Sequence, residues 1–181
     1  MKRFWLFIVG LCFCITLCAD GKKPIPHDTG IQYHLEQVEE LCTPLMELAQ
    51  QVEKSLKKLE GEGVDEDFQN QLKQLTEQST QLMNSAEQCE EYASYASSEA
   101  QARDCEDADV SAYNIELLFF EAKIEFKKVN RALEKLEDSQ SSYGIRTSLD
   151  KALLCLKNGM WDLLMATEGL ESAFEDAEAC L

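Results

Sequence analysis

The chain has 181 residues, with 34 acidic against 17 basic side chains and a net charge of −17. A field of that sign disfavours nucleic-acid binding, which needs clustered Lys and Arg against phosphate, and adhesion to anionic lipid, which needs a basic face. A 45% apolar fraction, regularly placed, excludes a disordered acidic tail.

The chain opens on Met1, Lys2 and Arg3, runs through the apolar stretch 4–18 (FWLFIVGLCFCITLC) and meets Ala19 before the polar Asp20, Gly21 and Lys22. A basic start, an apolar centre and a small boundary residue predict a cleaved export signal over 1–19 and a leader over 20–28. An uncleaved anchor is the rival reading, but this run falls short of the roughly 20 apolar residues that a membrane-crossing helix needs. A third reading is lipid attachment at Cys18, with Ile15, Thr16 and Leu17 as a degenerate lipobox. The expected location is therefore secreted or periplasmic, with no stable membrane span in the mature chain. Removing Lys2 and Arg3 takes the net charge to −19.

Residues 29–181 predict a single all-α domain. Ile31, Leu35, Val38, Cys42, Leu45, Ala49, Val52, Leu56 and Leu59 alternate at spacings of four and three over a first helix near 29–60. Phe68, Leu72, Leu75, Ser79, Leu82, Ala86, Cys89, Ala93, Ala96 and Ala100 repeat the pattern over a second, near 65–104. Ile115, Phe119, Ala122, Phe126, Val129, Leu133 and Leu136 carry it through a third, near 108–138. The fourth, near 148–181, reads Leu149, Leu153, Leu156, Met160, Leu163, Thr167, Leu170, Phe174, Ala177 and Leu181. Spacing of 3.5 residues puts each set on one stripe and specifies near-parallel, left-handed packing. Short connections predict an antiparallel up-down four-helix bundle, with an extended pair of helical hairpins as the alternative.

Local signals set the boundaries. Thr29 to Gln32 and Thr147 to Asp150 have the spacing of capping boxes, and Gly61 to Gly63 stops the first helix. Pro44 inside the first helix predicts a kink or break near Thr43. Apolar residues beyond the seam, Leu117, Leu118, Phe120 and Ile124 on the third helix and Trp161, Leu164 and Met165 on the fourth, leave two readings open. They mark either a deeply buried helix or an exposed interaction face.

Five cysteines remain in the mature chain: Cys42, Cys89, Cys105, Cys155 and Cys180. In an oxidising compartment wide spacing favours disulfides, and the absence of C-x-x-C counts against zinc, redox-motif and c-type haem sites. Axial heights counted from the turns bring Cys105 level with Cys180. Cys42 and Cys89 form a second candidate pair, offset by roughly 10 Å at helical rise. Cys155 is then the free thiol, either buried or a cross-linker. No Glu-x-x-His occurs, and an EF-hand register from Asp107 fails at Ala112 and Leu118. His34 beside an acidic helix reads as a surface residue. The sequence thus predicts no enzyme, no cofactor and no metal site. Its expected role is protein–protein interaction or structural assembly, with a basic partner or self-association as candidates. A lipid-binding amphipathic carrier and a disulfide-cross-linked envelope component are the alternatives.

Overall fold

The computed structural model describes residues 30–61, 66–137 and 142–180. The expected export signal, the leader and Cys18 lie outside the described residues. Four helices follow in order: α1 (Gly30–Gly61), α2 (Glu66–Ala102), α3 (Glu106–Glu137) and α4 (Ser142–Ala179). Each packs on its neighbour in the chain, and α4 returns to α1. That last contact closes the ring into an up-down bundle and overturns the alternative of two extended hairpins. The α3–α4 interface is the broadest of the four and α1–α4 the thinnest.

All nine α1 positions, all ten α2 positions and all seven α3 positions of the heptad seam are buried, so three helices keep the register their spacing specifies. In α4 the register differs. Leu149, Leu156, Leu163, Leu170 and Ala177 are buried, but the intervening positions are Ala152, Gly159, Ala166 and Ala173. Leu153, Met160 and Phe174 are half-buried and Thr167 is exposed, on the flank toward α1. The reason is backbone approach. A β-carbon added to Gly159 would lie 2.6 Å from the Phe126 ring, so only a small residue at this heptad position lets α3 and α4 meet around that phenylalanine.

Two boundaries depart from expectation. Pro44 sits inside a continuous α1 without breaking it. The proline and Glu40, whose carbonyl it deprives of a partner, are both exposed, so water can take the missing bond. Helix α4 begins at Ser142 rather than near 148. Thr147 is therefore not a cap, and its hydroxyl donates to the Tyr143 carbonyl (2.9 Å) one turn back inside the helix.

The α2–α3 connection is two residues of turn followed by Cys105. Asp104 takes the left-handed conformation (φ 56°) that more often belongs to glycine. The Cys105 amide donates to the Ala100 carbonyl (2.9 Å) and the Asp104 amide to the Gln101 carbonyl (3.1 Å), which closes α2 in a Schellman motif. Cys105 then caps α3, its carbonyl accepting from the Asp109 amide (2.9 Å). A clasp holds the corner: the Ser97 hydroxyl and the Gln101 side-chain amide both donate to the Asp109 carboxylate. Because the β-carbon is strained at positive φ, Asp104→Val is expected to cost about 1–2 kcal/mol, whereas Asp104→Gly is tolerated. Urea denaturation of the two variants against wild type checks it.

Candidate functional site

Among the described residues, every large apolar side chain that is exposed lies on α3 or α4. On α3, Val110, Tyr113, Leu117 and Phe120 continue the 3–4 spacing on the helix's outer side, giving α3 a second stripe opposite its buried seam. Half-buried Ile124 extends it. On α4, Leu154, Trp161, Leu164 and Met165 are exposed, Trp161 by 62% of its surface. The two stripes are held in register by contacts between the helices. Phe126 lies against Gly159 and Ile115 against Gly169, and the Ser111 hydroxyl donates to the Asp176 carboxylate (2.6 Å). The levels so fixed put Phe120 and Ile124 beside the segment from Trp161 to Met165.

A shallow groove runs between the stripes, lined by Ile124 and Trp161 with Glu121, Glu125, Asp162, Lys128 and Asn158. Three carboxylates against one ammonium leave it locally acidic. Partial burial, then the charges of Glu121 and Glu125, push the Asp162 carboxyl up to about 6, against a smaller opposing pull from Lys128. A carboxyl raised in the folded state binds its proton more tightly there than in the unfolded chain. Its stabilising contribution is complete below 3.8 and is lost as pH rises through about 6. Asp162→Asn is therefore expected to raise the urea midpoint at neutral pH. It also removes part of the rise in stability that wild type gains on acidification across that window.

The comparisons add no relative. No protein-family model, curated protein or solved structure matches the chain.

Of the cysteines, Cys105 and Cys180 lie within disulfide distance, their Cα atoms 5.9 Å apart, joining the α2–α3 corner to the end of α4. Cys42 and Cys89 meet in the core between α1 and α2 as unbonded thiols, both buried. Counted from the observed helix ends, they lie 19 residues before Gly61 and 23 after Glu66, a mismatch of roughly 6 Å at helical rise, less than the turn-based estimate. Their shared hydrogen bond lowers Cys42 and raises Cys89, and burial opposes ionisation of either. Cys155 is also unbonded and buried (6% exposed). Burial first, and then the charge of Glu125, push its thiol up, so cross-linking through it would require α4 to open locally.

His34 corrects the surface expectation: it is fully buried. Its ring packs edge-on against Tyr33 (5.5 Å) and tilted against Tyr95 (5.6 Å) and Tyr92 (6.4 Å) of α2. The alanine seam of Ala93, Ala96 and Ala100 supplies no bulk at this end, and the aromatic cluster fills the space instead. Heptad counting missed it because position 34 flanks the seam rather than lying on it. Among the described residues no group of three or more His, Cys, Asp or Glu is placed to hold a metal ion, and no helix is long and apolar enough to cross a membrane.

Proposed function

We propose that this is an exported, non-enzymatic helical scaffold that works by protein–protein contact, with the outer face of α3 and α4 as its binding surface. The observation that carries the reading is the confinement of all large exposed apolar side chains, among the described residues, to those two helices. Such confinement marks a partner surface more than general solubility does, because scattered single exposures are the usual background. Trp161, Tyr113 and Phe120 are of the types that anchor interfaces, set here within a polar rim. Export rests on the apolar run 4–18 behind a basic start.

The alternatives have less support. A lipid carrier must open its bundle, and the Cys105–Cys180 pair ties two of its corners together. A cross-linked envelope component needs an accessible odd thiol, and Cys155 is buried.

A photo-crosslinking amino acid placed at position 161, at 117, or at the exposed α1 position 50 tests the reading in the native extracytoplasmic compartment. Adducts from 161 and 117 but not from 50 are the expected result. Equal labelling from all three, or none from any, would sink the assignment of this face.

A further inference from the structure

The exposed apolar residues of α3 and α4 differ in pattern. On α3, Val110, Tyr113, Leu117, Phe120 and Ile124 follow one another at intervals of three, four, three and four. That is the spacing of the buried seam on the opposite side of the same helix. The first four are exposed and Ile124 is half-buried. On α4, Leu154, Trp161, Leu164 and Met165 keep no such alternation. Helix α3 therefore carries a second heptad seam, roughly 21 Å long at helical rise, that no helix of this bundle covers. The next two positions at the same spacing are Lys127 and Arg131, which end it.

Two rows of side chains border this seam. Lys123 pairs with Glu90 of α2, so Asp109, Glu116 and Lys123, each seven residues from the next, form the row on that side. Glu121 lines the groove against α4, so Asp107, Asn114 and Glu121 form the other row. Together the rows hold four carboxylates and one ammonium. That ammonium is already engaged by Glu90 and lies 5.2 Å from the centre of the Phe120 ring. The borders of the seam are acidic.

We infer that the second seam of α3 docks an amphipathic helix of a partner protein, apolar at its own a and d positions and basic at the flanking e and g positions. The inference rests on the interaction role proposed above and names the chemistry of the partner. A 3–4 alternation is matched along four turns by the knobs of another helix, whereas a strand has a period of two and loses the stripe. The acidic rows then set the sign of the partner's flanks, because opposed like charges disfavour the wrong helix. They also disfavour a second copy of this chain, which would bring the same acidic rows to the contact. Lys127 and Arg131 set the register, since a basic helix running past Ile124 meets like charge.

Three fluorescent peptides, each three heptads long, test the seam. Two share leucine at a and d and differ at e and g, lysine in one and glutamate in the other. The third keeps the lysines and scrambles the leucines. Anisotropy with the protein purified from its native compartment, at physiological salt, should show the lysine peptide binding at least about 10-fold more tightly than either of the others. Leu117→Ser combined with Phe120→Ser should weaken that binding at least about 10-fold. Both positions are exposed, and helical circular dichroism verifies that the variant folds. Glu116→Lys combined with Glu121→Lys should invert the preference toward the glutamate peptide. Equal binding of the lysine and scrambled peptides, or a preference that either double variant leaves intact, would overturn the helix seam. So would a wild-type dimer in sedimentation velocity that Leu117→Ser with Phe120→Ser dissolves, since a second copy would then occupy it. Crosslinking from position 117 separates this inference from the reading beneath it. An adduct whose captured segment is acidic or non-helical keeps the interaction role and removes the basic helix, whereas no adduct from any position removes both.

Discussion

Replacing both Cys105 and Cys180 with serine is expected to lower the stability of the chain by about 4 kcal/mol. The pair closes a loop of sequence separation 75. The chain-entropy relation for a loop of that length gives a loss of unfolded-state freedom worth about 4 kcal/mol. The covalent tie joins the α2–α3 corner to the end of α4, so α4 should also fray first when it is cut. Urea denaturation with and without reductant reads the effect. Wild type should fall by that amount under reducing conditions and the double-serine variant should not respond. The buried thiols serve as the control: Cys42→Ala, Cys89→Ala and Cys155→Ala should each leave the reductant-dependent shift intact. A reductant response that survives the double-serine change and disappears with Cys89→Ala would place the stabilising bond elsewhere in the core.

The second large effect lies at the contact of Phe126 with Gly159. Phe126 is fully buried, and its ring occupies the space that any side chain at 159 would enter. Phe126→Ala is expected to cost about 3–5 kcal/mol, since the two helix backbones cannot collapse fully into the space left. Gly159→Leu attacks the same contact from the other side. Helix propensity alone would favour the replacement by up to about 1 kcal/mol. Overpacking against a ring held in the core is expected to outweigh that gain and leave a net loss of about 1–3 kcal/mol. Combining the two changes lets the new leucine fill the vacated space, so the double variant should be more stable than Phe126→Ala alone. A double-mutant cycle read by denaturant unfolding measures this coupling. Strict additivity would mean that the ring and the glycine do not share the space described.

Helix number, the buried face of α1, α2 and α3, and the antiparallel order were legible in the sequence because each depends on local periodicity and connection length. Spacing of 3.5 residues fixes a stripe whatever the neighbours are, and short loops return the chain against itself. The level match of Cys105 with Cys180 was legible for the same reason, since residue count converts to height at a constant rise. Local reading failed where two residues compete for one place. In α4 the large side chains Leu153, Met160 and Phe174 gave the more apolar seam, yet Gly159 and its alanine neighbours took the inner position, because close approach to the Phe126 ring gained more packing than an additional large residue. His34 entered the core where the alanine end of α2 left space for its ring, with half-buried Tyr33, Tyr92 and Tyr95 around it, a volume set jointly by two helices. The exposed stripe of α3 was visible as apolar excess, but whether it faced water or a neighbour depended on which side α2 and α4 covered.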